Sequence, residues 1–411
     1  MDADYVELKR CRICASDELV PICSLGMQAV TGFPEKPEEK MHKAPLEIVL
    51  CKKCNLLQMR YTFERELLYR HYWYESGISP MMVRALSDII ESAQRLVGLS
   101  AGDYVIDIGS NDGTLLSLYK KEGIRKIGFE PSDVGYKSAA GSTIVHDFFN
   151  KESYWKAADA KAKIITSISM FYDLPNPNEF VQDIKKCLSE DGVWVIQMNY
   201  LMLMLKNNTY DDICHEHLEY YSLNAIENLL SRNGMKLIDA ELNGVNGGSI
   251  RVFVVDEKSA LSSGGGAENL EKIREMEKVM ELSKIETYEK FQKRMDENRK
   301  KVIGFVDAEM AKGRKFVIWG ASTRGLVQVQ YLGITSKQIP YAIDKNPRKW
   351  GRYYSGTGIK LISLEEAKKM KPDYVLVLPY HFLEEIIKES RPLTENGAKL
   401  IVNIPEFRII G

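Results

Sequence analysis

VIDIGSNDGTLL, residues 105–116, decides how this chain is read. A short apolar run carrying Asp107 meets the turn Gly109-Ser110-Asn111-Asp112-Gly113, and a helix begins at Thr114. A glycine at the end of a strand lets a ligand approach the backbone closely. Around this unit, apolar runs alternate with helical patterns: IGFE (127–130), STIVHDFF (142–149), KIITSIS (163–169) and VWVIQMN (193–199). That alternation predicts an α/β fold, an open parallel sheet with helices on both faces. KLIDAELN (236–243) and SIRVFVV (249–255) close it as a hairpin around Asn246-Gly247-Gly248.

Working outward, residues 1–80 are loop-rich at the start and carry the FPEKPEEK cluster (33–40), and a helix is expected over 81–97. SALSSGGGAEN (259–269) has the composition of a flexible linker. A long polar helix follows, with Tyr288, Phe291, Met295, Val302 and Phe305 near helical spacing. KFVIWGASTRG (315–325), YAIDKNP (341–347), DYVLVLP (373–379) and KLIVNIP (399–405) then predict a second, smaller parallel sheet. The expected organisation is a metal-binding domain (1–80), a central α/β domain (81–258), linker and long helix (259–312), and a C-terminal α/β domain (313–411).

The 411 residues suffice for two or three cores, and 45% of them are apolar. A net charge of −1 gives no global case for nucleic acid or an anionic membrane. No run approaches the roughly 18–20 apolar residues of a membrane span. MDADYVELKR lacks the build of a signal peptide, so a cytoplasmic protein is expected. Nothing in the sequence requires more than a monomer.

Cys11, Cys14, Cys51 and Cys54 form two Cys-x-x-Cys pairs among seven cysteines. Two such knuckles complete a thiolate tetrahedron, which points to structural zinc with no open coordination position. Cys23 and Cys187 read as small buried residues.

Glu130 ends the second central strand, where a carboxylate can accept both hydroxyls of an adenosine ribose. NAD would use the same geometry, but the G-x-G-x-x-G fingerprint that makes room for a pyrophosphate is missing. Asp112 in the turn would repel a pyrophosphate and suit a cationic sulfonium, so S-adenosylmethionine is the expected cofactor. Gly109, Ser110, Asn111, Gly113 and Pro131 belong to the same site, and Asp147 and Phe148 are placed to address the adenine.

YDDICHEHLEYYS (210–222) gathers Cys214, His215, Glu216 and His217. A second metal is one reading; acid–base chemistry is the stronger one. Methyl transfer to carbon requires a proton α to a carbonyl to leave first, and histidine is suited to take it near neutral pH. One of the two histidines is then structural. A second aromatic cluster, YRHYWYESGIS (69–79), offers Tyr72, Tyr74 and Ser76 to the same cleft, or serves interdomain packing.

Taken in order, VIDIGSNDGTLL, GFEPS, HDFF, YDDICHEH and NGGSIRVF resemble the sugar C-methyltransferases of deoxysugar biosynthesis, over essentially the whole chain. The resemblance implies an N-terminal four-cysteine zinc domain, a central Rossmann-like class I methyltransferase domain and a C-terminal Rossmann-like domain. It implies methylation of a carbon, typically C3, beside the ketone of a nucleotide-linked 4-keto-6-deoxysugar. His217 matches the family's general base, Glu216 its partner carboxylate, and Tyr72 or Tyr74 its catalytic tyrosine. Cys214 stands where better-known members carry a tyrosine, which removes a phenolic donor. WGASTRG, AIDKNPRKWGRYYSGTGI and VLVLPYHFLEEI resemble the domain that helps hold the substrate's nucleotide. Arg324, Lys345, Asn346 and Tyr353 are the implied contacts there, with Asn199, Asn246, Gly247 and Arg251 on the central domain; Ser355 replaces a usual proline. Two alternatives stay open at this point: transfer to O, N or P of another small acceptor, which Cys214 keeps alive, and a non-catalytic zinc-containing binding protein.

Overall fold

The N-terminal segment is more regular than its composition suggests. The computed structural model describes residues 4–69, 73, 75–134 and 141–411. In it β1 (Tyr5–Glu7), β2 (Leu19–Ala29), β3 (Lys43–Cys51), β4 (Leu57–Met59) and β5 (Tyr61–Phe63) fill the region read as loop-rich. β2, β3 and β4 form an antiparallel sheet, and β1 pairs with β5. Register shifts at Pro21/Cys23 and Ser24/Gly26 are bulges that break the apolar alternation of β2, which hides the strand from pattern reading. Leu46, Ile48 and Leu50 of β3 are fully buried and supply the core.

The central domain is built on β6 (Tyr104–Ile108), β7 (Arg125–Phe129), β8 (Thr143–Val145), β9 (Ala162–Ile168), β10 (Leu188–Asn199), β12 (Met235–Asn243) and β13 (Ser249–Asp256). Their order is β12-β13-β10-β9-β6-β7-β8, parallel except that β13 runs antiparallel to β10 and β12. The topology reverses on either side of β6, so a crevice opens at its carboxyl end, where such sheets bind ligands. β8 is shorter than the run STIVHDFF: Asn150 caps the next helix, Lys151–Ala157, and His146–Phe149 must leave the sheet to reach it.

β11 (Glu219–Tyr220) leaves that sheet and pairs with β4, Glu219 opposite Gln58 and Tyr220 opposite Leu57. The histidine-rich stretch is thereby sewn onto the N-terminal domain. Buried Arg12 reinforces the seam: Nη1 donates to the Met59 carbonyl (2.8 Å), and Nε lies 3.4 Å from Glu219 Oε1.

Part of the expected linker is structural. Helices Gly266–Met280 and Ile285–Ala311 occupy most of it. Glu277 accepts from the Tyr200 hydroxyl and from the Leu223 and Asn224 amides at the start of helix Leu223–Arg232, fixing the first of these helices to the central core.

The C-terminal sheet has β14 (Phe316–Trp319), β15 (Tyr341–Ile343), β16 (Lys360–Ile362), β17 (Tyr374–Val377), β18 (Lys399–Val402) and β19 (Arg408–Ile410), in the order β16-β15-β14-β17-β18-β19, with only β19 antiparallel. Gly320, with φ +90°, ends β14 against Pro379; a Cβ there would sit 2.7 Å from the proline Cδ. Among the described residues no helix is long and apolar enough to cross a membrane.

Candidate active site

A cavity of about 600 Å³ joins the carboxyl end of the central sheet, the histidine-rich stretch and the turn after β14. All three domains line it.

At the cofactor end, Gly109 and Asn111 both adopt positive φ (+72° and +52°), and Gly113 (φ +76°) leads into the helix Thr114–Leu118. Ser110 crosses Gly128 so closely that a Cβ on Gly128 would lie 2.4 Å from its Oγ. Glu130 is 7% exposed, and its two carboxylate oxygens accept from the Asn111 amide (2.8 Å) and the Ser132 amide (2.9 Å). A carboxylate pinned in this way keeps lone pairs for a diol. Asp107 is held by the Thr166 hydroxyl at 2.7 Å, and burial pushes its carboxyl up to about 7. Pro131 and Phe148 line the cavity, with the Arg65 guanidinium 4.3 Å from the Phe148 ring centroid.

Two expected cofactor contacts lie elsewhere. Asp112 does not line the cavity: its carboxylate accepts from the Gly77 amide (2.8 Å) and from Thr114 N and Oγ1 (3.1 and 2.6 Å), capping a helix and fastening a neighbouring turn. Its charge is committed to these protein donors. Asp147 is exposed and folds onto the Phe148 amide at 2.8 Å.

In the histidine-rich stretch, His217 faces the cavity and His215 does not. The Nδ1–H of His217 donates to the Asp212 carbonyl (2.8 Å), which leaves Nε2 with a bare lone pair. Burial, then the nearby Arg324 charge, lower its pKa to about 3, so the ring is neutral. The Tyr172 ring lies 4.3 Å from the imidazole centroid. His215 is buried with Nε2 against the Ala44 carbonyl (3.1 Å); it is the structural member of the pair.

Glu216 lines the cavity but is not the partner of His217. Its Oε1 accepts from Thr323 (3.4 Å), Oε2 has no protein partner, and burial raises its pKa. The partner is the Asp212 carbonyl. Cys214 is fully buried behind Glu216, off the cavity wall, with its thiol pushed up by burial. Tyr72 and Tyr74 lie outside the described residues.

The expected substrate contacts divide. Asn199, Asn246 and Arg324 line the cavity. Gly247 stands just behind it, so close to Tyr380 that a Cβ would meet its hydroxyl at 2.5 Å. Arg251 is buried far inside β13, bonded to Gln197, Ser92, Glu241 and Asp88; it is a core strut, not a ligand contact. Lys345 is exposed between Glu385 and Glu389 (2.8 and 2.6 Å). Asn346 caps its own turn by accepting from the Arg348 amide at 3.0 Å. Tyr353 is tied through its amide to the Pro34 carbonyl (2.9 Å), and neither residue reaches the cavity. Ser355 donates to the Gly32 carbonyl at 2.7 Å, a contact between domains that a proline could not make.

Sequence reading missed Thr323, Tyr172 and Lys349. Tyr172 follows a strand of the parallel sheet at its carboxyl end, a position that could have flagged it. Lys349 is one of several cations in DKNPRKWGR; only folding buries it under the Phe33 ring (4.6 Å), with Nζ donating to the Ala321 carbonyl at 2.7 Å.

The four paired cysteines converge, all sulfurs lying within 4.8 Å of one another. The two knuckles are alike: the amides of Ala15 and Asn55 donate to Cys11 and Cys51 carbonyls at 2.9 Å, and both residues adopt positive φ. Four thiolates in this arrangement fit one tetrahedral zinc and leave no vacant position for substrate.

Family models match in the same three-part order. A zinc binding domain matches residues 11–69, a methyltransferase domain residues 82–240, and a C-methyltransferase C-terminal domain residues 244–405. The chain is 28% identical over 413 residues to the C-methyltransferase NovU of Streptomyces niveus, an alignment spanning 98% of this chain and 97% of that relative. The protein is an S-adenosylmethionine-dependent C-methyltransferase. Of the solved structures, an S-adenosylmethionine-dependent methyltransferase from Clostridium acetobutylicum ATCC 824 is 14% identical, covering 44% of this methyltransferase and 92% of its own chain at a TM-score of 0.34. The plantazolicin methyltransferase BpumL in complex with SAH is 13% identical, covering 44% and 85% at a TM-score of 0.35. In this methyltransferase the four-cysteine cluster lies within the matched zinc binding domain and is its zinc site.

Proposed function

We propose that this C-methyltransferase acts on a nucleotide-linked 4-keto-6-deoxysugar and methylates the carbon beside the ketone, C3, with His217 as the base. One observation supports the reading: His217 holds its proton on Nδ1 against the Asp212 carbonyl, leaving Nε2 free as an acceptor, and lines the cavity that the cofactor turn also lines.

S-adenosylmethionine supplies an electrophilic methyl group on its sulfonium. Nε2 takes the proton from C3, and the C–H electrons move into the carbonyl to give an enolate. C3 then forms its bond to the methyl carbon as the bond to sulfur breaks, leaving S-adenosylhomocysteine. With Cys214 in place of a phenol, the enolate oxygen needs another donor. Glu216, whose pKa burial raises, and the Thr323 hydroxyl are candidate donors on the cavity wall. Lys349 lines the same cavity with its Nζ held by the Ala321 carbonyl (2.7 Å) and Asp344 (3.2 Å), and the Ala321 amide also donates to Asp344 (3.0 Å).

Incubation with S-adenosylmethionine and a panel of nucleotide-linked 4-keto sugars tests the substrate class. A mass gain of one methyl group, placed on carbon by NMR, is the expected result. Methylation of oxygen, or of none of the panel, would refute it.

A further inference from the structure

Arg324 belongs to the C-terminal domain, yet it is committed to the catalytic stretch and its neighbours. Its Nε–H donates to Asp211 Oδ2 at 3.0 Å and lies 3.3 Å from Asp212 Oδ1. Nη1 donates to the Asn246 carbonyl and Nη2 to the Tyr380 hydroxyl, each at 2.6 Å. Asp211 and Asp212 are consecutive and buried. Two such carboxylates repel each other in a low-dielectric setting unless a cation lies between them. Asp212 is further fixed by the Thr209 hydroxyl (2.7 Å) and the Asn199 amide, and its carbonyl takes the Nδ1–H of His217. A continuous set of hydrogen bonds and ion pairs thus runs from the helix Thr323–Leu332 of one domain to the imidazole of another.

We propose that Arg324 is a positioning residue for proton abstraction: through this guanidinium the C-terminal domain holds the Asp211–Asp212 turn in the shape that aims His217 Nε2 into the cavity. The inference rests on His217 being the base. The C-terminal domain is then part of the catalytic apparatus as well as a holder of substrate. Lysine cannot replace the arginine fully, because a single ammonium cannot span Asp211, Asn246 and Tyr380 together.

The test follows hydrogen exchange beside the ketone of a thymidine diphosphate-linked 4-keto-6-deoxyhexose in D₂O, by NMR, with S-adenosylhomocysteine in place of the methyl donor. Full-length parent, Arg324→Gln, Arg324→Lys and Tyr380→Phe are compared, with melting curves and cofactor affinity as folding controls. Arg324→Gln is expected to slow exchange by about 10- to 100-fold, the cost of a small misplacement of a reacting group. Sugar KM and cofactor affinity stay near parental values, Arg324→Lys recovers part of the rate, and Tyr380→Phe loses several-fold. Parental exchange in Arg324→Gln together with a raised sugar KM would make Arg324 a ligand contact and overturn the proposal. If Arg324→Gln fails to fold, parental exchange in Tyr380→Phe overturns it equally. Absence of exchange in the parent is a different failure: it removes the base assignment itself, and this inference with it.

Discussion

His217 and Asp212 are joined through main chain, not side chain: the imidazole Nδ1–H donates to the Asp212 carbonyl across 2.8 Å. A carbonyl fixes tautomer and direction without adding a negative charge beside the ring. The imidazole stays neutral in its buried setting, and Nε2 keeps its lone pair.

Replacing His217 by alanine is expected to lower methyl transfer by at least ~10²-fold, the usual lower worth of a general base. Cofactor affinity should not change, because the Gly109–Asn111 turn and Glu130 are untouched. Single-turnover rates and calorimetric titration with S-adenosylhomocysteine measure the two effects separately.

Glu130→Ala should act in the opposite way. Its carboxylate is already fastened by two backbone amides, so removal strands those donors as well as any ribose hydroxyls. A loss of about 1.5–3 kcal/mol in cofactor binding, roughly 10- to 100-fold in Kd, is expected. Titration calorimetry reads it directly.

Arg251→Met and Lys345→Ala separate structure from substrate binding. Arg251 is 2% exposed, its partners Asp88 and Glu241 keep access to water, and Gln197 and Ser92 retain donors in Asn243 (3.1 Å) and Arg95 (2.7 Å), so its loss mainly removes buried hydrogen bonds without stranding a charge. A destabilisation of about 1–3 kcal/mol is expected, with the sugar KM of the folded enzyme unchanged. Lys345→Ala, at an exposed ion pair, should change stability by less than ~1 kcal/mol and leave KM alone. Denaturant melts and steady-state kinetics check both.

His215 gives the fold an acid-labile element. Burial lowers its pKa from 6.5 to about 4, so between these values the unfolded chain binds a proton that the folded one refuses. Its neutral form is therefore compatible with full stability above pH 6.5, and stability falls as pH drops toward 4. The shift corresponds to ~3 kcal/mol. His215→Gln keeps a donor for the Ala44 carbonyl and cannot titrate, so its melts should lose less stability than the parent's between pH 6.5 and 4.

Much of this architecture is legible in the sequence, for a physical reason. Parallel strands buried on both faces are written as contiguous apolar runs, so VIDIG, KIITSIS and VWVIQMN announce themselves. The N-terminal sheet is not legible, because the bulges at Pro21 and Ser24 scramble its alternation. Cysteine spacing marks the metal cluster, since the knuckle is a local structure. Side-chain roles are harder to read. Asp112, Arg251 and Lys345 have the chemistry of ligand contacts, and only tertiary packing shows each one committed to protein partners. Which of His215 and His217 faces the cavity depends on the pairing of β11 with β4, a contact 161 residues apart between Glu219 and Gln58.

Solvent deuterium wash-in to the nucleotide-linked 4-keto sugar, compared between the parent enzyme and His217→Ala, tests the base assignment most directly. Label should appear at the carbon next to the carbonyl with the parent, and at least ~10²-fold more slowly with the variant. Equal labelling of the unreacted sugar by the two proteins would contradict a proton transfer to this imidazole.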